Sequence, residues 1–592
     1  MVSSVHRYLL RFLKFLARRY LLKPPSLVKP PYRSGQAGNL RKRSQDIASR
    51  LQKKILKGEQ APSTPIRPDL KENLQVIKEC LGSSGDLIIR EFKIALNARG
   101  TAREGTPKGR GEGRPINAAI LYFDGMVDKK LLNENVLEPL MIGSRFPGPP
   151  EAPTGVSPIQ LVESYLLTIS EVKEGEKVED ALAAILEGDT ALLVDGEAKA
   201  LLISTKGWEH RSVQQPQSES LIRGPRESFI EILRPNLALL RRKIKSPLLT
   251  VEIRKVGRLT QTDLALVYIR GVANQEVLNE VKKRLEKVDI DGVLESGYIE
   301  EIIEDAPWSP FPTVQYTERP DKLAANLLEG RIGIMVDGSP MALMVPAVFA
   351  QFLQSPEDYY ERFMIGSAIR FIRLLGIFVA LTLPSLYIAL TTFHHEMIPT
   401  RLLLSIAATR EPVPFPAVVE AFIMELSLEL LREASVRLPG PVGNTIGIVG
   451  ALILGEAAIR AGLVSPAMVI VVAVTAIGSF TVPTFSAAIP LRLIRFPLML
   501  LAAALGLYGV MLGWLAVLIH ITSLKSFGVP YLAPAAPARI RGMKDLLLRA
   551  PLWSLGQRPR FLRPLDLPRQ GDPLRNLEDK GGNKGEGEEG KE

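Results

Sequence analysis

KVEDALAAILEGDTALLVDGEAKALLIST, residues 177–205, and DKLAANLLEGRIGIMVDGSPMALMVP, residues 321–346, follow one plan. Each opens with a helical pattern, reaches Glu-Gly, and continues as two apolar runs. The runs turn at Asp195-Gly196 in the first copy and at Asp337-Gly338 in the second. Asp-Gly between apolar runs is a hairpin signal, because its backbone reaches the turn conformation at little steric cost. The two stretches suggest either an internal structural echo or strands of one sheet separated in sequence.

Outward from this pair, strands and helices alternate. LKENLQVIKECL reads as a helix, and GDLIIREFKI and INAAILYFD as strands. LLTVEIRKVGRLTQTDLALVYIRG gives two more strands, and NQEVLNEVKKRLEKV an amphipathic helix. This alternation predicts an α/β region of two subdomains, 67–154 and 155–315, then a junction and pre-membrane helix over 316–371. The loop at 98–115, rich in Gly and Arg, carries neither a Walker A Lys-Ser/Thr nor a Rossmann strand-turn-helix frame, and reads as a basic insertion.

Residues 372–522 carry the long apolar runs and predict an all-α polytopic membrane domain with four or five transmembrane helices. Spans are expected from 374, 442, 464 and 496, while RLLLSIAA from 401 is too short to cross. Arg370 and Arg373 are expected at the headgroup level. A basic, then low-complexity, tail fills 523–592. With four spans both ends share one side, and Arg492 and Arg495 then fall awkwardly on the other.

The chain has 592 residues, a net charge of +11, five His and one Cys. A single cysteine permits no internal disulfide and fits a cytosol-facing soluble part, with Cys80 a structural thiol. Residues 1–66 form a basic segment and linker. Arg7, Arg11, Lys14 and Arg18 share one face of an amphipathic helix suited to a lipid interface, and too interrupted by charge for a cleavable signal peptide. Membrane lipid is favoured over nucleic acid as its partner. No metal or cofactor motif is present: HHEMI at 394 lacks the second His of a zinc helix, and no Gly-x-Ser-x-Gly elbow occurs, so no enzyme is expected.

PFPAVVEAFIMELSLELLREASVRLPG, residues 414–440, places charge in apolar surroundings. On a helix Glu425, Glu429, Arg432 and Glu433 fall in one stripe, with Glu420 away from it. An ionised group at mid-bilayer costs about 2.5–3.5 kcal/mol or more, so the stripe must face protein, water or the interface. Three readings follow: an interfacial helix, a ring of intersubunit pairs through Arg432, or a carboxylate-lined cation path. Asn444 and Glu456 are further polar candidates. Arg223, Arg226, Arg241 and Arg242 form a basic cluster for docking or anion contact, or else for structural pairing with carboxylates.

Several long blocks carry a resemblance. They are RGPRESFIEILRPNLALLRRKIKSP at 223, VGRLTQTDLALVYIRGVAN at 256, FPTVQYTERPDKLAANLLEGRIGIMVDGSP at 311, SPEDYYERF at 355, FHHEMIPTRLLLS at 393 and ELLREASVRLPGPVGNTIGIVGALILGEAAIRAGLVSPAMVIVVAVTAIGSF at 429. Over roughly residues 70–535 the chain resembles the GerA family of spore germination proteins, the A subunits of germinant receptors. The resemblance implies a multi-pass protein of the endospore inner membrane with a two-part cytosolic N-terminal region. It implies a transporter-like B subunit and a lipoprotein C subunit as partners, and a homo-oligomeric ring that releases monovalent cations when nutrient is sensed. A sister branch, of the stage V sporulation protein AF type, shares the fold and supports germination as an accessory. The N-terminal 60 residues, the loop at 98–115 and the long tail look like additions to the family pattern.

Overall fold

The computed structural model describes residues 64–82, 84–94, 115–142, 157–207, 216, 218–219, 221–437, 450, 455–538, 542–546 and 548–569. The basic helix with Arg7, Arg11, Lys14 and Arg18, the loop at 98–114 and Asn444 lie outside these residues.

The echo is real, and it extends beyond the quoted stretches. The first lobe holds α1 (Leu70–Cys80), β1 (Leu87–Ile94), β2 (Ile116–Phe123), β3 (Val172–Gly175), α2 (Val178–Glu187), β4 (Thr190–Val194) and β5 (Ala200–Ile203). The second holds α3 (Leu233–Lys243), β6 (Leu249–Val256), β7 (Thr262–Ile269), α4 (Gln275–Leu285), α5 (Ser296–Ile303), β8 (Gln315–Thr317), α6 (Pro320–Glu329), β9 (Ile332–Val336) and β10 (Ala342–Val345). The sheets run β1-β2-β4-β5-β3 and β6-β7-β9-β10-β8, the same antiparallel order twice. Two separate sheets exclude the single shared sheet.

The copying reaches individual hydrogen bonds. Asn73 in α1 accepts from the Arg67 amide and donates to the Arg67 carbonyl; Asn236 in α3 does the same with Ile230. Asp195 accepts from the Leu70 amide at 3.3 Å, and Asp337 from the Leu233 amide at 2.9 Å. The turn aspartate thus caps the opening helix of its own lobe, a role outside the hairpin itself. Gly188 and Gly330 end α2 and α6 with φ of 97° and 101°, a left-handed conformation that favours glycine, which explains the shared Glu-Gly.

The boundary expected at 154/155 is corrected. β2 pairs with β4, joining Ala118 to Val194 and Leu121 to Ala191, so one sheet straddles that position. Likewise β8, α6, β9 and β10 belong to the second lobe and not to a junction after 315. Sequence composition marks segments rich in Pro and Gly, but a sheet closes through non-local pairs that can span such an insertion.

Each sheet has helices on both faces. In the second lobe, Leu237, Leu240, Leu323 and Leu327 cover one face, and Leu278, Val281, Ile299 and Ile303 the other. Covering both faces accounts for β9, IGIMV, being buried along its whole length instead of alternating.

The lobes are joined through the turn before β1. The Gly85 amide donates to the Val251 carbonyl at 2.8 Å, and the Val251 amide to the Ser84 hydroxyl at 3.0 Å. Arg270 donates to the carbonyls of Glu79 and Cys80 at 3.0 and 2.5 Å, closing the C-terminus of α1. Burial beneath this joint pushes the Cys80 thiol up to about 12. A thiol-selective reagent at pH 8 is therefore expected to leave Cys80 unmodified in the folded chain and to label it fully in denaturant. Rapid labelling of the folded chain would show the joint to be open.

The helical part contains α7 (Phe363–Thr392), α8 (Thr400–Arg410), α9 (Ala417–Arg437), α10 (Pro466–Ser479) and α11 (Phe485–Ser523). Two of these, α7 and α11, are long and apolar enough to cross a membrane. The span expected from 442 lies largely outside the described residues. That expected from 464 is α10, only 14 residues long.

α11 is not one straight rod. Its 39 residues would extend about 58 Å at 1.5 Å per residue. Instead Gly506 adopts φ 60° and ψ −140°, and the helix folds back on itself. A Cβ added at Gly509 would run into the Leu501 carbonyl oxygen, and one at Gly513 into the Leu498 side chain. Such contacts across the break require two antiparallel limbs, 485–505 and 507–523. The span expected from 496 is therefore a helical hairpin whose limbs pack closely through glycine.

Both ends of this hairpin lie beside the second lobe. The Thr484 hydroxyl donates to the Phe352 carbonyl at 3.1 Å, and His520 meets the Ser309 hydroxyl at 2.9 Å. α7 starts at the same end and finishes beside Gly506, where His394 and Phe393 crowd the turn.

Residues 524–569 form a strap packed on the second lobe. It opens with the short ladder of β11 (Lys525–Ser526) and β12 (Val529–Pro530). Ser526 bonds the Ala347 amide and the Thr313 carbonyl, Tyr531 is fully buried, and the Leu565 amide donates to Val272. Of its basic residues, Arg558 donates to the Leu328 carbonyl at 2.8 Å and pairs with Asp566.

Candidate functional site: a charged layer inside the helical bundle

α9 carries charge because α11 answers it. Glu425, 2% exposed, pairs with Arg495 at 2.5 Å. One turn on, Glu429 pairs with Arg492 at 3.2 Å and with Arg432 of its own helix at 3.2 Å. Glu425 and Glu429 are four residues apart and Arg492 and Arg495 three, so each pair shares one helix face and the two faces match. Arg432 also donates to the Ser479 hydroxyl at 3.0 Å, and its guanidinium lies 4.8 Å from the Phe480 ring centre. The stripe thus faces protein, on α11 and the end of α10.

The outer face of α9 is different. Val419, Ile423, Leu426 and Leu430 are exposed at helical spacing, followed by exposed Glu433 at the lobe end. Glu433 therefore parts from its stripe neighbours and points outward. Glu456 is exposed as well and pairs with Arg460 on its own helical turn. It is not brought to the layer. Glu420 is completely buried, held by Arg410 at 3.2 Å and by the Ser465 amide and hydroxyl, both at 2.9 Å. This second charged contact ties α8, α9 and the start of α10 at the end far from the lobes.

A third charged centre sits where the bundle meets the lobes. Asp358, 3% exposed, accepts from Arg370 at 3.3 Å and Arg373 at 3.0 Å. Arg370 also pairs with Asp545 of the strap at 3.0 Å. Both arginines are buried against protein. Two cations beside one buried carboxylate need further acceptors, and Asp545 with the Leu353 carbonyl provides them.

The basic cluster is dispersed. Arg241 is buried and bound to Asp86 at 2.8 Å, to Ser84 and to the Leu249 carbonyl, over the Phe123 ring. It fastens the two lobes. Arg242 faces Glu227 at 3.6 Å, Arg223 faces Glu361 at 3.5 Å, and Arg226 is exposed. Among the described residues no group of His, Cys, Asp and Glu could hold a metal ion.

Sequence reasoning did not assign Arg492 and Arg495 to the glutamates, nor Asp358 and Asp545 to the arginines of α7. A usable signal existed for the first. Two arginines one turn apart in an apolar run need acid partners, and α9 carries carboxylates in the same region.

Residues 75–561 match the family model described as Bacillus/Clostridium GerA spore germination protein. Spore germination protein KA of Bacillus subtilis (strain 168) is 45% identical over 510 residues, covering 86% of this chain and 90% of that protein. Spore germination protein GerLA of Bacillus cereus is 40% identical over 498 residues, covering 84% of this chain and 96% of that one. A crystal structure of the N-terminal domain of the A subunit of the Bacillus megaterium spore germinant receptor GerK3 matches at 36% identity and TM-score 0.37. It covers 49% of this chain and 98% of that domain. With the apolar α7 and α11, the family match and the two Bacillus relatives mark a membrane-associated protein of spore germination, and the chain belongs to the GerA family.

Proposed function

We propose that this chain is the A-type subunit of a germinant receptor in the endospore inner membrane. Its two lobes and strap lie on the cytosolic side, and the helical bundle crosses the bilayer. Described limbs run away from the lobes in α7 and the first limb of α11, and back in α9, α10 and the second limb. The apolar run from 442, expected from the sequence to span, makes the count even. The docking of the strap on the second lobe supports that parity without appeal to basic charge.

The bundle oligomerises and passes monovalent cations when its transporter-like B and lipoprotein C partners bind nutrient. The observation that carries this reading is the charged layer between α9 and α11, since buried intramembrane charge is costly and marks function. The candidates for the ion path or the seam between subunits remain Glu425, Glu429, Arg432 and Glu433, of which Glu433 is the exposed one. An accessory role of the stage V sporulation protein AF type is the second reading, favoured by the neutralisation of Glu425 and Glu429 within one chain.

Potassium-loaded liposomes holding the chain with its B and C partners separate the two. The conducting reading expects potassium efflux above that of empty liposomes, with conductance or selectivity altered by Glu433→Gln. Efflux no greater than that of empty liposomes gives the accessory role instead.

A further inference from the structure

α7 is led in by the short helix Glu357–Tyr360 and by Glu361 and Arg362. Two segments far apart in sequence hold this lead-in. From the second lobe comes the loop at 221–226. A Cβ on its Gly224 would lie 3.0 Å from the Tyr360 ring, and its Arg223 faces Glu361 at 3.5 Å. From the strap comes Arg549, which donates to the Tyr359 carbonyl at 3.3 Å. The Arg549 amide and carbonyl both bond the Ser367 hydroxyl, each at 3.1 Å, on the second turn of α7. Both segments are thereby fixed where α7 begins. There α7 exposes Phe363, Met364 and Ile365, the first residues of a helix apolar enough to cross a membrane.

Each segment also turns apolar side chains outward. Ile222 is 94% exposed, Leu548, next to Arg549, 58%, and Trp553 69%. Leu552, the neighbour of Trp553, lines a cavity with Tyr359 and Tyr360, which keeps Trp553 close to the same lead-in. One exposed apolar residue needs no explanation, but several on two unrelated segments that converge on one helix root do. The charge beside them is basic. Arg226 and Arg362 are exposed, and among the described residues no carboxylate pairs with either. Arg223 is largely exposed in spite of Glu361.

We propose that the loop at 221–226 and strap residues 548–553 form one footprint on the bilayer, taking anionic phospholipid headgroups. Ile222, Leu548 and Trp553 enter the interface, where tryptophan is enriched, and Arg223, Arg226 and Arg362 meet the phosphates, which guanidinium groups fit well. The inference rests on the reading in which the bundle crosses the bilayer. Two observations favour lipid as the occupant: the footprint adjoins the exposed apolar start of α7, and its free charge is positive. Tyr359 also bonds Asp545 of the strap, so a footprint set on lipid braces lobe and strap together against the root of α7.

The test uses the full chain with Cys80→Ser in nanodiscs that carry a headgroup nitroxide lipid, with an environment-sensitive fluorophore on one introduced cysteine. Ile222→Cys and Leu548→Cys are expected to be quenched. Leu259→Cys is expected not to be, since Leu259 is exposed on the hairpin between β6 and β7, at the sheet edge opposite β8. Exchanging phosphatidylcholine for phosphatidylglycerol should deepen the quenching of Ile222→Cys. Arg226→Gln should then lower its quenched-to-unquenched ratio about fivefold, with little change in phosphatidylcholine. Met511→Cys, exposed on the second limb of α11, reports the bundle itself with a nitroxide placed in the acyl chains. If Met511→Cys is quenched while Ile222→Cys and Leu548→Cys behave as Leu259→Cys does, the footprint is overturned and the bundle reading stands. An unquenched Met511→Cys removes the bundle reading, and the footprint with it. Equal quenching in the two lipids, unmoved by Arg226→Gln, contradicts the anionic headgroup. Shielding of Ile222→Cys and Leu548→Cys that persists in detergent and rises with chain concentration assigns the face to a second copy and overturns the proposal.

Discussion

Glu425→Ala is expected to destabilise the bundle by about 3–5 kcal/mol, because it leaves Arg495 as an unpaired cation in the protein interior. Arg495 is 3% exposed and Glu425 2%, so water cannot take the place of the missing partner without rearrangement. Arg495→Ala should cost a similar amount for the same reason, with a buried carboxylate now stranded. The combination Glu425→Leu with Arg495→Met removes both charges and keeps volume in the core. It should recover most of the loss, since apolar replacement of a whole buried pair is often neutral or stabilising. Thermal unfolding in nanodiscs measures the cycle. Additive losses across the two sites would mean that the residues do not meet.

Two neighbouring arginines give the second large effect. Arg241→Ala strips Asp86 of its bidentate partner inside the joint between the lobes, and about 3–5 kcal/mol should be lost. Arg242→Ala removes a partly exposed contact to Glu227 and should cost less than about 1 kcal/mol. Denaturant unfolding of the full chain compares them. The lobes should also separate in the first variant, so that Cys80 becomes reactive at pH 8. Equal costs at the two positions would place Arg241 on the surface.

The same contrast explains what was legible in the sequence. The echo could be read because its determinants are local: a helix ending at Glu-Gly and a hairpin at Val-Asp-Gly, each repeated with its neighbours. The identity of the two sheet orders could not, because β3 and β8 are short edge strands placed only by their pairing with β5 and β10. The charged stripe on α9 was visible from periodicity, and so was its need for a non-lipid face. Its partners lay some seventy positions away on a helix whose fold-back at Gly506 leaves little trace in composition. The strap was least legible. It is rich in proline and carries only short turns and a two-residue ladder, so no periodic pattern announces that it docks. Its hold comes from backbone hydrogen bonds, buried Tyr531 and half-buried Asp545, none of which is a motif.

In the proposed topology, lobes and strap share one side of the membrane and the Gly506 turn faces the other. Single cysteines in a Cys80→Ser background test it most directly. Trp308 and Leu565, 85% and 64% exposed, report the lobe and the strap, and Met397, 65% exposed, reports the far end of the bundle. With a membrane-impermeant maleimide on intact cells, Met397→Cys is expected to label, and Trp308→Cys and Leu565→Cys to label only after lysis. Labelling of Leu565→Cys together with Met397→Cys in intact cells would put the strap across the membrane from the lobes and contradict the account.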